Sequence, residues 1–455
     1  MRKKLITLIV SFTAMWFAFS IAATQDNRVL YVMKQGAIDF QMPVAFIDSI
    51  VFDTPDVVRD PFDRQITGPV VAYSDGGTAE MTNPFFWVRY AIKRGWNPNE
   101  VILTPEEIRS AVQAMVNQGN MRLTLPSSLA NETTVTHAQL TALAAEFNYT
   151  NAHAGRNRLA FTSYVPPFSG SRDVQLGVLT SFAILSCAPN ATLVRDNHET
   201  GLEVGEGVVI YAEHGNHYLV KSQNYFGWVP KSAIARVTRA QFEEYVLPEK
   251  FVVVTAERIR TSSGVPTMLR MGTKLPLVSQ TDTDITFRIP TRNADGTLGE
   301  SAVRTLPIDE NEYLHVGYLP FTVTNILKQM FKQLGQVYGW GDQNSDRDCS
   351  SAVWAAYKTH GFLLPRNTAQ QRMISAGPYV RAVTGNHATI MSALNEGTFR
   401  PGTLVWLPGH VVMYLGRING RHYIIHQSGG TRQACRVTRL NIYNNLTEIK
   451  TFERQ

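Results

Sequence analysis

The chain has 455 residues, 44% of them hydrophobic and 18% charged, with 43 Lys and Arg against 37 Asp and Glu. That length and apolar content suffice for several buried cores, and length alone points to two to four domains. The formal charge of +6 falls to +3 once the three basic residues at the extreme N-terminus are set aside, leaving 40 basic residues against 37 acidic; with no basic block interleaved with aromatics, a nucleic-acid partner is excluded.

Arg2-Lys3-Lys4 precede an apolar run from Leu5 to Ala23 that closes on Ser20-Ile21-Ala22. This is the pattern of a secretory signal over residues 1–22, cleaved after Ala22. An uncleaved anchor is the alternative, since the run approaches the ~18–20 residues that span a bilayer. Cleavage implies export to the periplasm or beyond the cell, with no stable membrane insertion. No pattern sets an oligomeric state.

Residues 23–166 mix extended and helical signals and read as an N-terminal accessory domain ending at Pro166-Pro167. Thr104-Pro-Glu-Glu starts one helix, with proline in the first position and acids in the first turn. Thr136 to Phe147 gives a second. From 174 to 246 the chain turns into short β-rich runs, among them a hairpin around Gly215 and the stretch Gly227-Trp-Val-Pro. A second β-rich segment, 250–318, carries Leu269-Arg-Met-Gly-Thr-Lys-Leu-Pro and a long hairpin with Asp295-Gly296 at its tip.

Residues 319–455 mix helical and strand patterns around Tyr338-Gly-Trp-Gly-Asp-Gln-Asn-Ser-Asp-Arg-Asp-Cys-Ser-Ser. Val353, Trp354, Ala356 and Tyr357 recur with helical spacing until Gly361, so Asp348 reads as an N-cap and Cys349 as a first-turn residue. A helix N-terminus favours thiolate over thiol, whereas the Asp348 charge opposes it, so a histidine has to make up the difference. Three cysteines leave one unpaired; either Cys187 and Cys435 bridge, or all three are reduced. No spacing of Cys and His matches a zinc site, and no cofactor is needed.

His410 opens a strand after Pro408-Gly409, and His426 closes the next strand after Asn419-Gly420. A two-residue loop pairs Ile418 with Arg421 and sets His426 opposite Met413, on the face away from His410. A three-residue loop with Gly420 left-handed pairs Arg417 with Arg421 and sets His426 opposite Val412, on the face of His410. A nucleophile, base and orienter require the second, so catalysis selects the three-residue loop.

Tyr338-Gly-Trp-Gly, Arg347-Asp-Cys-Ser, Leu364-Pro-Arg-Asn-Thr-Ala-Gln-Gln, Pro401-Gly-Thr-Leu, Pro408-Gly-His-Val and Tyr423-Ile-Ile-His, in this order, resemble the NlpC/p60 family of bacterial cell-wall cysteine peptidases. The resemblance implies a multidomain α+β protein. Its papain-like catalytic domain would have Cys349 as nucleophile, His410 as base, His426 as third polar residue and Tyr338 beside the oxyanion. Two residues depart from the family pattern, Ser351 and Asp342, each where the family usually has glycine. The β-rich segments resemble two small bacterial SH3-like barrels, either wall-binding modules or part of the active-site rim.

In the subfamily that cuts γ-D-glutamyl bonds to a diamino acid, the first barrel closes the cleft on a free N-terminal alanine. The residues holding that amine map onto Glu206, Tyr225, Asp348, Ser350 and Thr368. The implied partner is a peptidoglycan stem peptide. The alternatives are an amidase or acyltransferase on the same core, and a non-catalytic wall-binding protein.

Overall fold

The computed structural model describes residues 72–119, 121–147, 162–189, 198–261, 267–307, 313–429 and 434–455, with the backbone of four strands nearer the N-terminus. Those strands, Ile6–Phe12, Met15–Ala22, Val29–Lys34 and Ala37–Pro43, pair in sequence order as an antiparallel meander. The side chains of the run read as a secretory signal lie outside the described residues. No described helix is long and apolar enough to cross a membrane.

Helix Pro105–Asn117 begins as its sequence predicts. Thr104 accepts from the Glu107 N–H while Glu107 accepts from the Thr104 N–H, which satisfies two otherwise unpaired donors. An earlier helix, Pro84–Lys93, is capped by Asn83. Their buried residues, Trp87, Val88, Ala91, Ile108, Val112 and Met115, belong to one core with Val323, Leu327, Trp354, Val411 and Met413. Farther along, Leu129, Leu140, Phe147 and Val165 pack instead with Val178, Leu219 and Trp228 of the first β-rich segment. The stretch expected as one accessory domain thus divides its apolar side chains between two neighbours.

The first β-rich segment is a seven-stranded antiparallel sheet in the order Ile234–Val237, Gln175–Leu179, Gly207–His214, His217–Lys221, Phe226–Pro230, Ala183–Ser186, His198–Leu202. The second has the order Ala302–Pro307, Asp284–Ile289, Lys274–Gln280, Phe251–Val254, Leu314–Val316, beside a ribbon of Arg258–Thr261 and Thr267–Arg270. Both predicted hairpins are present, His214 facing His217 in one and Asp284 facing Pro307 in the other. The expected small barrels are not seen. Closure requires the two outermost strands of a sheet to pair, and no such ladder exists among the described residues.

Toward the C-terminus, a six-stranded antiparallel sheet runs Val380–Thr384, Glu448–Phe452, Leu404–Leu407, His410–Ile418, Arg421–Gln427, Cys435–Arg439. Helix Cys349–Lys358 packs on one face against Val411, Met413 and Ile425, and helix His387–Asn395 packs on the other against Val412, Tyr414 and Ile424. With both faces covered, the central strands are near-continuous apolar runs. Cys187, Cys349 and Cys435 are all reduced and buried, so the bridge considered between Cys187 and Cys435 does not form.

Candidate active site

Helix Cys349–Lys358 starts on Asp348, whose carboxylate accepts the Ser351 N–H at 2.8 Å. Cys349 therefore occupies the first turn, as its position predicts. Its thiol meets Thr368 Oγ1 at 3.7 Å and the backbone N–H groups of Val411 and Ser350. Burial pushes the thiol up to about 11, and the Asp348 carboxylate adds to the effect. Thr368 is the first residue of helix Thr368–Arg372. Asn367, rather than Thr368, is that helix's N-cap.

The histidine pair forms, although by a different route from the predicted loop. Ile418 pairs with Arg421 across a two-residue turn, Asn419 and Gly420, both at positive φ (49° and 78°), as a type I′ hairpin requires. That turn alone would place His426 on the wrong face. Between Tyr414 and Gly416 the ladder shifts by one residue, so Tyr414 pairs with Ile424 and Met413 with Ile425, which sets His426 opposite Val412. A β-bulge does what the longer loop was expected to do.

His410 Nε2 lies 2.8 Å from His426 Nδ1. Thr438 Oγ1 stands 3.3 Å from His426 Nε2, and the Tyr443 hydroxyl stands 3.3 Å from its Nδ1. With the His426 proton on Nε2, donated to Thr438, Nδ1 accepts from His410. His410 then carries its proton on Nε2 and keeps Nδ1 basic. Burial holds His410 down at about 4 against a nearby Asp348 that favours the charged form, and burial with the neighbouring His410 and Arg436 holds His426 well below the ordinary imidazole range. Burial thus favours the thiol and the neutral imidazole over the ion pair. Among the described residues no hydrogen bond joins Cys349 to His410; the nearest link is the Val411 N–H, one residue along, on the sulfur.

A buried charge cluster lies against the start of the Cys349 helix. Arg366 donates to both oxygens of Asp348 at 3.0 Å, to Asp342 Oδ2 at 3.0 Å, to Ser350 Oγ at 3.1 Å and to Thr200 Oγ1 at 2.9 Å. Asp342 also accepts from Ser351 Oγ, from Arg270 Nη2 at 3.2 Å and from the Gly201 N–H at 3.2 Å. Burial alone would raise the Asp342 carboxyl, but Arg366, Arg270 and Arg347 outweigh it and hold the carboxyl far below the ordinary range. The two positions that depart from the glycine pattern, Asp342 and Ser351, are hydrogen-bonded to each other. Asp342 occupies the left-handed region, φ 65°, which tolerates aspartate better than most side chains.

A cysteine at the start of a helix, two bonded histidines on adjacent strands and a polar loop before the cysteine form an arrangement compatible with thiol chemistry. Residues 335–450 match the NlpC/P60 family. Members of that family are cysteine peptidases that act on peptidoglycan peptides. Among solved structures, an NlpC/P60 endopeptidase from Photobacterium damselae subsp. piscicida is 15% identical, with 83% of this chain and 91% of that one covered and a TM-score of 0.51, a likeness of fold. NlpC2 from Trichomonas vaginalis is 16% identical over 62% of this chain and 98% of its own, with a TM-score of 0.28. None of the curated proteins matches the sequence.

The other predicted site residues lie at differing removes from Cys349. Tyr338 pairs its backbone with Arg347, and its ring lies beside Gly429, just past the His426 strand. Ser350 Oγ donates to Asp348 Oδ1. The Tyr225 hydroxyl accepts from Asn367 Nδ2 at 3.2 Å. Glu206 does not face an empty amine site. Lys358 Nζ sits 2.5 Å from its Oε1 and 4.3 Å from the centre of the Trp354 ring. Asp348 likewise already carries Arg366. The two carboxylates expected to meet a substrate ammonium are each paired to a cation of the chain itself.

Sequence reasoning missed Arg366, Tyr443 and Thr438 as site residues. Arg366 lies within the quoted Pro365-Arg-Asn-Thr stretch, so its place in a motif was a signal. Tyr443 sits beyond any pattern, and only the fold brings it to the imidazoles.

Several imidazoles are buried, or half-buried in the case of His410, and held neutral, with a consequence for stability. His360, His410 and His422 are held by burial at about 4 against an ordinary 6.5, and His426 is also held well below 6.5. Below 6.5 the unfolded chain binds protons that the folded one refuses, so stability is full above that pH and is lost as pH falls toward about 4. The unfolding temperature, measured by calorimetry from pH 8 downward, is expected to drop steeply below about 6.5. A flat profile to pH about 4.5 would contradict neutral burial of these rings.

Proposed function

We propose that the protein is an exported cysteine peptidase that hydrolyses the bond between γ-D-glutamate and a diamino acid in peptidoglycan stem peptides. The observation that carries this reading is the His410–His426 bond, anchored by Thr438 and Tyr443, beside a helix-terminal Cys349 within an NlpC/P60 domain. Cys349 Sγ attacks the γ-glutamyl carbonyl as His410 Nδ1 takes the thiol proton. Tyr338 and the Cys349 N–H stabilise the oxyanion. On collapse the C–N bond breaks, His410 protonates the leaving amine, and water then hydrolyses the thioester and restores the thiol. His426 fixes the imidazole tautomer.

The first β-rich segment, read as SH3-like, supports an end-recognition role because it reaches the catalytic domain at two of the implied amine residues. Glu206 meets Lys358 and Tyr225 meets Asn367. In this reading the substrate ammonium takes over Glu206 from Lys358. A hydrogen bond to a charged group is worth about 1.5–3 kcal/mol, so Glu206→Gln should raise KM roughly tenfold or more with little change in kcat. Incubation of the mature protein with L-Ala-γ-D-Glu-diaminoacyl peptides, free or N-acetylated, tests the assignment by mass spectrometry. Only the free-amine peptide should be cut. Intact sacculi, in which that nitrogen is an amide, should resist. Equal cleavage of both peptides would leave the β-rich segments as wall anchors and the enzyme as an endopeptidase on polymeric wall.

A further inference from the structure

We propose that Tyr90, in the N-terminal Pro84–Lys93 helix, is a positioning residue for the histidine pair, holding the β-bulge that decides which face of the hairpin His426 occupies. The inference rests on His426 being the orienter of His410. With the Asn419-Gly420 turn fixed, an unbulged ladder sets His426 against Met413 and away from His410, because side chains alternate with a period of two. The single shift between Tyr414 and Gly416 reverses that parity for every residue beyond it.

A bulge disrupts the ladder locally and bends its strand. Tyr90 offsets the disruption twice. Its hydroxyl accepts the Arg417 N–H at 3.0 Å, next to the shifted residues. Its ring lies over Gly416, whose φ is 144°, so closely that a Cβ there would stand 2.4 Å from Tyr90 Cε1. The register skips Leu415, and the next residue, Gly416, must be glycine because the ring occupies its side-chain space. Trp87, one turn earlier on the same helix, packs 5.8 Å from the ring of Tyr423, the residue paired with Gly416. The helix therefore holds both strands at the point where parity is set. Tyr90 touches no reacting atom and acts only through the position of His426.

Two variants test this. Tyr90→Phe removes the acceptor and keeps the ring, and Gly416→Ala places a methyl group against the ring. With a free-amine muropeptide, Tyr90→Phe should lower kcat about tenfold with KM within about twofold. In a His426→Ala background the same change should cost less than about twofold, because the residue it acts through is gone. Equal losses in both backgrounds, or an unchanged kcat in Tyr90→Phe, would overturn the proposal.

A second readout is independent of the substrate. In 15N-histidine NMR of the full chain, the signature of the His410–His426 hydrogen bond should be present in the wild type and weakened or absent in both variants. Its retention in both would refute the positioning role even if no muropeptide were cleaved, and its loss would uphold that role even if the peptidase reading failed.

Discussion

Cys349→Ala is expected to lower muropeptide hydrolysis by at least about a thousandfold, because removing a nucleophile leaves only binding and oxyanion stabilisation. His410→Ala should cost about as much: a thiol held near 11 by burial does not ionise unaided at neutral pH. Both variants should fold. The Cys349 side chain is small, and His410 sits at the partly exposed start of its strand. Unfolding temperatures close to the wild type would show that the loss is chemical. His426→Ala should lose less, since an orienter sets tautomer and direction without bonding to substrate, and Tyr443 still packs 5.7 Å from the His410 ring. Hydrolysis undiminished in Cys349→Ala would reject a thiol enzyme. A His426→Ala loss equal to that of His410→Ala would mean that His426 is the base.

The second large effect is on stability. Arg366→Ala removes the cation shared by Asp342 and Asp348, leaving two buried carboxylates, 1% and 8% exposed, with too little opposite charge. Breaking a buried ion pair from one side costs about 3–5 kcal/mol, and unfolding in urea should show a loss of that order. Arg366→Lys should recover little, because a lysine cannot reproduce a fork that reaches Asp348, Asp342 and Thr200 together. Ser351→Ala and Asp342→Asn should be non-additive, since one hydrogen bond joins them. A loss under about 1 kcal/mol in Arg366→Ala would show that the cluster is solvated in solution.

Much of this site was legible from short stretches of sequence. The Asp348 cap, the Cys349 helix, the helix start at Thr104-Pro105 and the Pro408-Gly409 break each depend on neighbours within a few residues, and each forms as its residues dictate. The hairpin shows where such reading stops. Asn419-Gly420 specified a two-residue turn, but nothing between Val411 and His426 announces a bulge held by a tyrosine more than three hundred positions earlier. The internal pairing of Glu206 with Lys358 and the convergence of Arg366, Arg270 and Asp342 were hidden for the same reason: a charge in a sequence does not name its partner across the chain. That no closing ladder forms among the described residues of the β-rich segments is a further case, because β-periodicity fixes strands and leaves closure to long-range pairing.

The Pro84–Lys93 helix also bears on the order in which the molecule is assembled. Its apolar residues Trp87, Val88 and Ala91 are made early, yet the strands they cover come from the far end of the chain, with Tyr90 and Arg417 separated by 327 positions. Contacts so distant in sequence form slowly, since a long loop must close before they contribute. During synthesis the β-rich middle can collapse on local hairpins, while the early helix waits with its apolar stripe uncovered, a surface that invites chaperones or aggregation. The core around Cys349 is thus started by an early helix and completed only when the strands that carry His410 and His426 have been made.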